Sequence, residues 1–189
     1  MNTVIERALE AGETLLWSGV PEDFETLDKT NGKRIRRSSI IKIVCTLLVI
    51  LATILLENKQ GKPVSFILIV VILAVGAYMV AAPWLNAKKL RQEVAYAITD
   101  RRLILAVNTA GSIRYDMVKE AAFRTDADGH TTLLIGKEAL GKSAQNWRNF
   151  TPVTPYVNAE TNTCECMVFY AVPDAAKVKQ LLMPYISFQ

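Results

Sequence analysis

The sequence predicts a two-helix membrane hairpin followed by an all-β barrel or curled sheet that a C-terminal helix closes. Three observations carry this reading. Two long apolar runs occupy residues 40–56 and 64–85, apolar and polar residues alternate after residue 94, and a helical period returns after Pro173. The chain has 189 residues, 51% of them hydrophobic and 21% charged. That apolar content excludes disorder, and the modest counts of Gly and Pro exclude a collagen-like fibre. Three cysteines are too few, and odd in number, for a secreted disulfide scaffold.

The N-terminal segment, residues 1–39, is split by charge. Residues 1–28 hold Arg7 against seven acids, whereas 29–39 hold Lys29, Lys33, Arg34, Arg36 and Arg37 with no acid. The net charge of +4 is therefore concentrated in a band beside an apolar run, as membrane-flanking charge is. No helix-turn-helix, zinc-finger or RNP-type pattern accompanies it, which argues against a nucleic-acid partner.

The hairpin, residues 40–85, follows. Helices over 40–56 and 64–85 would rise about 26 Å and 33 Å, against a hydrocarbon core of about 30 Å. Neither run shows the polar stripe of a soluble helix. Lys42, the one charge in the first run, is expected to snorkel toward the headgroups. Lys88, Lys89, Arg91, Arg101 and Arg102 follow the second run, while the connecting loop carries Lys59 and Lys62. This asymmetry predicts a multi-pass protein with both termini cytoplasmic. The spans carry no ionisable group at mid-membrane, so they read as an anchor and not as a transport path.

Residues 86–189 are expected to form the cytoplasmic domain. Val94, Tyr96 and Ile98 alternate with small or polar neighbours, and a turn at Asp100 and Arg101 precedes a second strand at Leu103, Leu105 and Val107. A turn over 108–112, where Gly111 can supply positive φ if the turn needs it, leads to a strand through Ile113, Tyr115 and Met117. Further strands fit 121–125, 133–135 and 164–172, with a turn at 126–129. Val178, Leu181, Leu182 and Tyr185 then form one apolar helix face after Pro173 and Asp174. Strands closed by one amphipathic helix suggest a small barrel or curled sheet.

Three strings carry a resemblance. YAITDRRLIL (96–105) resembles the opening signature of bacterial pleckstrin-homology-like (PH-like) domains of the two-transmembrane-helix type. GETLLWSGVP (12–21) is similar to their N-terminal motif, and VFYAVPDAAKVKQLL (168–182) to their last strand and closing helix. The departure lies in 136–163, longer and more polar than a compact strand connection. The resemblance implies a seven-stranded barrel-like sheet with a C-terminal helix at a bacterial inner membrane, and no enzyme activity.

Candidate sites follow from chemistry. The basic residues Lys33, Arg34, Arg36, Arg37, Lys88, Lys89, Arg91, Arg101 and Arg102 are candidates for anionic lipid headgroups, since guanidinium and ammonium pair with phosphate oxygens. Trp147, Arg148, Phe150 and Tyr156, in an aperiodic stretch with two prolines, are candidates for a membrane protein partner, because aromatics and Arg dominate interface hot spots. Thr99 and Asp100 suit turn chemistry. Cys164 and Cys166, two apart on one strand, are expected to share a face and stay free thiols. No Ser-His-Asp set, phosphate loop or HExxH motif occurs, so neither catalysis nor a cofactor nor a metal is expected. The expected function is a non-enzymatic, membrane-anchored binding module, with an assembly factor or accessory subunit of a larger membrane complex as the alternative. A homo-oligomer stays open.

Overall fold

The structure is a computed structural model that describes residues 3–29, 31–107, 109–141 and 155–189. In chain order the elements are α1 (Thr3–Ala8), β1 (Leu15–Gly19), α2 (Gly32–Lys59), α3 (Phe66–Glu93), β2 (Ala95–Thr99), β3 (Arg102–Ala106), β4 (Ala110–Arg114) and β5 (Ala121–Thr125). They continue with β6 (Thr131–Ile135), α4 (Lys137–Leu140), β7 (Tyr156–Asn158), β8 (Thr163–Phe169) and α5 (Ala175–Leu182). The strands form two four-stranded antiparallel sheets, ordered β1-β2-β3-β4 and β5-β6-β8-β7. Among the described residues no closed barrel forms.

The helices α2 and α3 are each 28 residues long, about 42 Å of helix, and so outrun the expected spans at their β-module ends. Only 6% and 11% of their most apolar windows are buried within the chain. A soluble core helix would be mostly buried, so two apolar helices long enough to cross a membrane are present. They pack closely: a Cβ added to Gly76 would lie 2.6 Å from the Thr46 side chain. Ser65 caps α3, its hydroxyl accepting from the Leu68 amide.

The N-terminal segment is part of the β module. β1 pairs with β2 across the whole hairpin, with Trp17 opposite Ile98. α1 lies on the outer face of the first sheet, where Ile5 packs on Ala95, Ala97, Ile104 and Ala106. This explains why β2 and β3 are buried on both faces and why residues 103–106 read as a continuous apolar run.

The main core lies between the sheets. Tyr96 of β2 stacks on Phe169 of β8 at 4.4 Å. The Tyr96 hydroxyl accepts from the Tyr170 amide at 2.9 Å and donates to the Tyr170 carbonyl at 3.1 Å. Val178 and Leu182 of α5 enter the same core, as do Ile35 of α2 and Ala87 and Leu90 of α3. The expected apolar face of the closing helix is therefore observed, and Tyr185 beyond it stacks on Tyr115 at 4.4 Å.

Two assignments around β4 differ, and the last strand, expected over 164–172, ends at Phe169. The strand expected through Met117 ends at Arg114, and Tyr115–Met117 is a 3-10 turn whose Tyr115 hydroxyl donates to the Thr99 carbonyl. The turn expected over 108–112 is shorter, because Ala110 and Gly111 already pair with Ala106 and Leu105. Gly111 serves close approach and not positive φ, since a Cβ there would lie 2.7 Å from Pro155.

Candidate functional site

The basic residues divide sharply by position. On the first two turns of α2, Lys33, Arg36 and Arg37 are exposed and Arg34 is half-buried. On the last two turns of α3, Lys88 is exposed, while half-buried Lys89 lies 3.9 Å from Glu93. Four exposed cations thus stand immediately above the apolar lengths of both helices. Ile35 and Leu90, facing inward between them, join the β-module core. The helical period causes the split: the same turns present an apolar side to the module and a basic side outward.

Arg91 is engaged. Its Nη1 donates to the Phe24 carbonyl at 2.6 Å, its guanidinium lies 5.3 Å over the Phe24 ring, and Asp23 is 3.7 Å away. Phe24 in turn meets the edge of Tyr170. Residues 20–29 therefore strap the hairpin to the second sheet. The Glu22 amide donates to the Ala171 carbonyl, and the Lys29 amide to Asp128.

Arg102, expected at a headgroup, is a structural residue. A guanidinium has five N–H donors. Here they meet both oxygens of Glu13 (2.9 and 2.8 Å), the Ala8 carbonyl (2.8 Å), the Ser112 hydroxyl (3.1 Å) and Glu10 (3.0 Å). The Glu13 side chain is 0% exposed. The Arg102 hydrogen bond holds its carboxyl down at about 2, with the Glu10 amide and Thr99 hydroxyl adding and burial opposing. Thr99 accepts from the Arg101 and Arg102 amides, and the Asp100 carboxylate accepts from the Thr14 amide. Arg101 donates to the Gly12 carbonyl. The strings at 12–21 and 96–105 thus bind each other, and Tyr96 binds the third string at Tyr170. Both arginines stand at the end of β2 opposite its junction with α3, about 20 Å along an extended strand.

Lys42 does not snorkel. Its ammonium donates to the Met79 carbonyl at 2.8 Å. That carbonyl is the one left open by Pro83, which sits four residues on inside α3 and has no N–H to give. Sequence reasoning missed this pairing, although a Lys in one span and a Pro in the other were its two signals.

Of the partner-binding candidates, Trp147, Arg148 and Phe150 lie outside the described residues. Tyr156 begins β7 opposite Cys166 and is 57% exposed. Cys164 and Cys166 do not share a face. β7 pairs Tyr156 with Cys166 and Val157 with Cys164, so Glu165 is an extra residue in β8. The bulge sends Cys164 into the main core and Cys166 toward α4. Burial pushes the Cys164 thiol up to about 12 and the Cys166 thiol up to about 11.

Asp28, Asp126 and Asp128 bring carboxylate oxygens within 4.8 Å of one another, close enough for one hard cation to bridge. Those oxygens already order turns. Asp126 accepts from the Asp128 and His130 amides, and Asp28 from the amide and side chain of Asn31. No family model, curated protein or solved structure matches the chain.

Proposed function

We propose that the chain is a non-enzymatic, membrane-anchored binding module of the PH-like kind, set at the cytoplasmic face of a bacterial inner membrane. It engages a membrane protein partner, with anionic headgroups gathered by the exposed cations Lys33, Arg36, Arg37 and Lys88. One observation supports this most strongly. Val94 alone separates α3 from β2, and Ile35, Ala87, Leu90 and Val94 share a core with Tyr96 and Phe169. The hairpin therefore enters the folded module directly. A module joined in this way meets the bilayer at one height and one orientation, so the same surface always faces a neighbouring membrane protein. Tethering then makes weak contacts effective.

The test is mild-detergent purification of the full chain from its native membrane. The reading expects a membrane protein to co-purify, and expects Trp147→Ala with Phe150→Ala and Tyr156→Ala to abolish this without loss of fold. Recovery of the chain alone, with no preference among headgroups, contradicts it. Exchanging residues 44–75 for an unrelated apolar hairpin addresses the accessory-subunit reading. Capture that survives the exchange assigns recognition to the module, and capture that is lost assigns it to the helices.

A further inference from the structure

A groove of about 470 Å³ runs along one side of the hairpin, between Ile43 and Leu47 of α2 and Leu73, Ala77 and Trp84 of α3. Its volume lies within the range of about 300–1,000 Å³ typical of small-molecule sites. Gly76 against Thr46 lets the helix backbones meet there, and the small residues Ala77 and Ala81 leave the space above that contact open. We propose that this groove seats one anionic phospholipid from the leaflet on the β-module side. An acyl chain lies along the groove and the headgroup phosphate sits on Arg36 and Lys88. The proposal rests on the reading that α2 and α3 cross a bilayer.

Length is the first argument. From Leu73 to Trp84 the groove extends about 16 Å, close to half of a hydrocarbon core of about 30 Å. It starts at the depth where a tryptophan marks the interface and stops near mid-membrane. A transmembrane helix, from a partner or from a second copy, would need a face through both leaflets, which the groove does not offer.

Charge is the second argument. Arg36 stands two turns before Ile43, and Lys88 one turn beyond Trp84, so helical spacing sets both above the groove's open end. Both are exposed. The neighbouring Arg91, held by Phe24, supplies further positive field without offering its guanidinium. An apolar slot one leaflet deep beneath two cations is complementary to an anionic phospholipid. It discriminates against a zwitterionic one, whose own ammonium would meet the same cations.

The experiment reconstitutes the full chain in equal parts phosphatidylglycerol and phosphatidylcholine, moves it to mild detergent, and counts retained lipids by native mass spectrometry. One phosphatidylglycerol per chain is expected. Arg36→Gln and Lys88→Gln should each reduce the preference for phosphatidylglycerol about five-fold. Ala77→Leu with Ala81→Leu should remove retained lipid of either headgroup while the thermal melt stays unchanged. Three results overturn the proposal: equal retention of both lipids by the parent chain, retention that survives the filled groove, or a dimer that the filled groove breaks. Alkaline carbonate extraction separates this from the underlying reading. A chain released by carbonate refutes the membrane hairpin itself, and an inserted chain without selective lipid refutes the groove assignment alone.

Discussion

Replacing Glu13 by Gln isolates the contact that joins the N-terminal segment to the β2–β3 turn. The carboxylate accepts from Arg102 Nε and Nη2, from the Thr99 hydroxyl at 2.7 Å and from the Glu10 amide at 2.8 Å. Its side chain is fully buried. Moving that carboxyl from its ordinary 4.5 to about 2 corresponds to about 3 kcal/mol of stability at neutral pH. The sign follows from the direction. A lowered carboxyl contributes fully above its ordinary value, and the contribution fades as pH falls from 4.5 toward 2. Glutamine keeps the shape but turns a donor toward Arg102 and leaves that guanidinium under-paired. Near-UV circular dichroism of the full chain in detergent should show a melting temperature lower by about 6–12 °C at pH 7. Near pH 2 the gap between the two proteins should almost close. An equal gap at both pH values, or none at pH 7, would refute a charge-based role for this pair.

Three further outcomes follow from other contacts. Lys42→Met leaves the Met79 carbonyl without its donor and should weaken the hairpin against SDS by about 1–3 kcal/mol. Adding Pro83→Ala should restore it by returning a backbone N–H, and a double variant no better than the single one counts against the pairing. Gly136 has φ +89, and a Cβ there would overlap the Glu165 carbonyl at the β8 bulge. Gly136→Ala should therefore lose at least about 1–3 kcal/mol from backbone conformation alone, read as a lower melting temperature. With thiols near 12 and 11, Cys164 and Cys166 should resist iodoacetamide at pH 8 until denaturant is added. Fast alkylation of Cys164 in the folded chain contradicts its buried placement.

The two long apolar helices were legible because composition alone declares them: runs 40–56 and 64–85 show no polar stripe. The closing helix was legible because Val178, Leu181, Leu182 and Tyr185 share one face. Much of the β alternation was legible too, since Tyr96, Ile98, Leu103 and Leu105 face one core. The role of Arg102 was hidden because its partner lies 89 residues away, beyond any local pattern. The two-sided burial of residues 103–106 was hidden behind the alternation of Leu103, Leu105 and Val107, because the element covering the other face, α1, is six residues long and too short to carry a period. The cysteine face failed for a different reason. Counting by two holds only while a strand is regular, and Glu165 breaks the count.

Where the bilayer stands relative to the module is measured most directly by depth-dependent quenching with brominated lipids. Two full-chain variants are needed, one keeping Trp84 and one keeping Trp17, with the other tryptophans replaced by Phe. Trp84 lies at the upper end of the apolar length of α3, and Trp17 lies in the β-module core. Bromine near the acyl carbonyl end should quench Trp84 strongly, bromine near the chain terminus should quench it weakly, and neither should quench Trp17. Equal quenching of the two tryptophans, or an unquenched Trp84, would contradict a module seated on the membrane by its own helices.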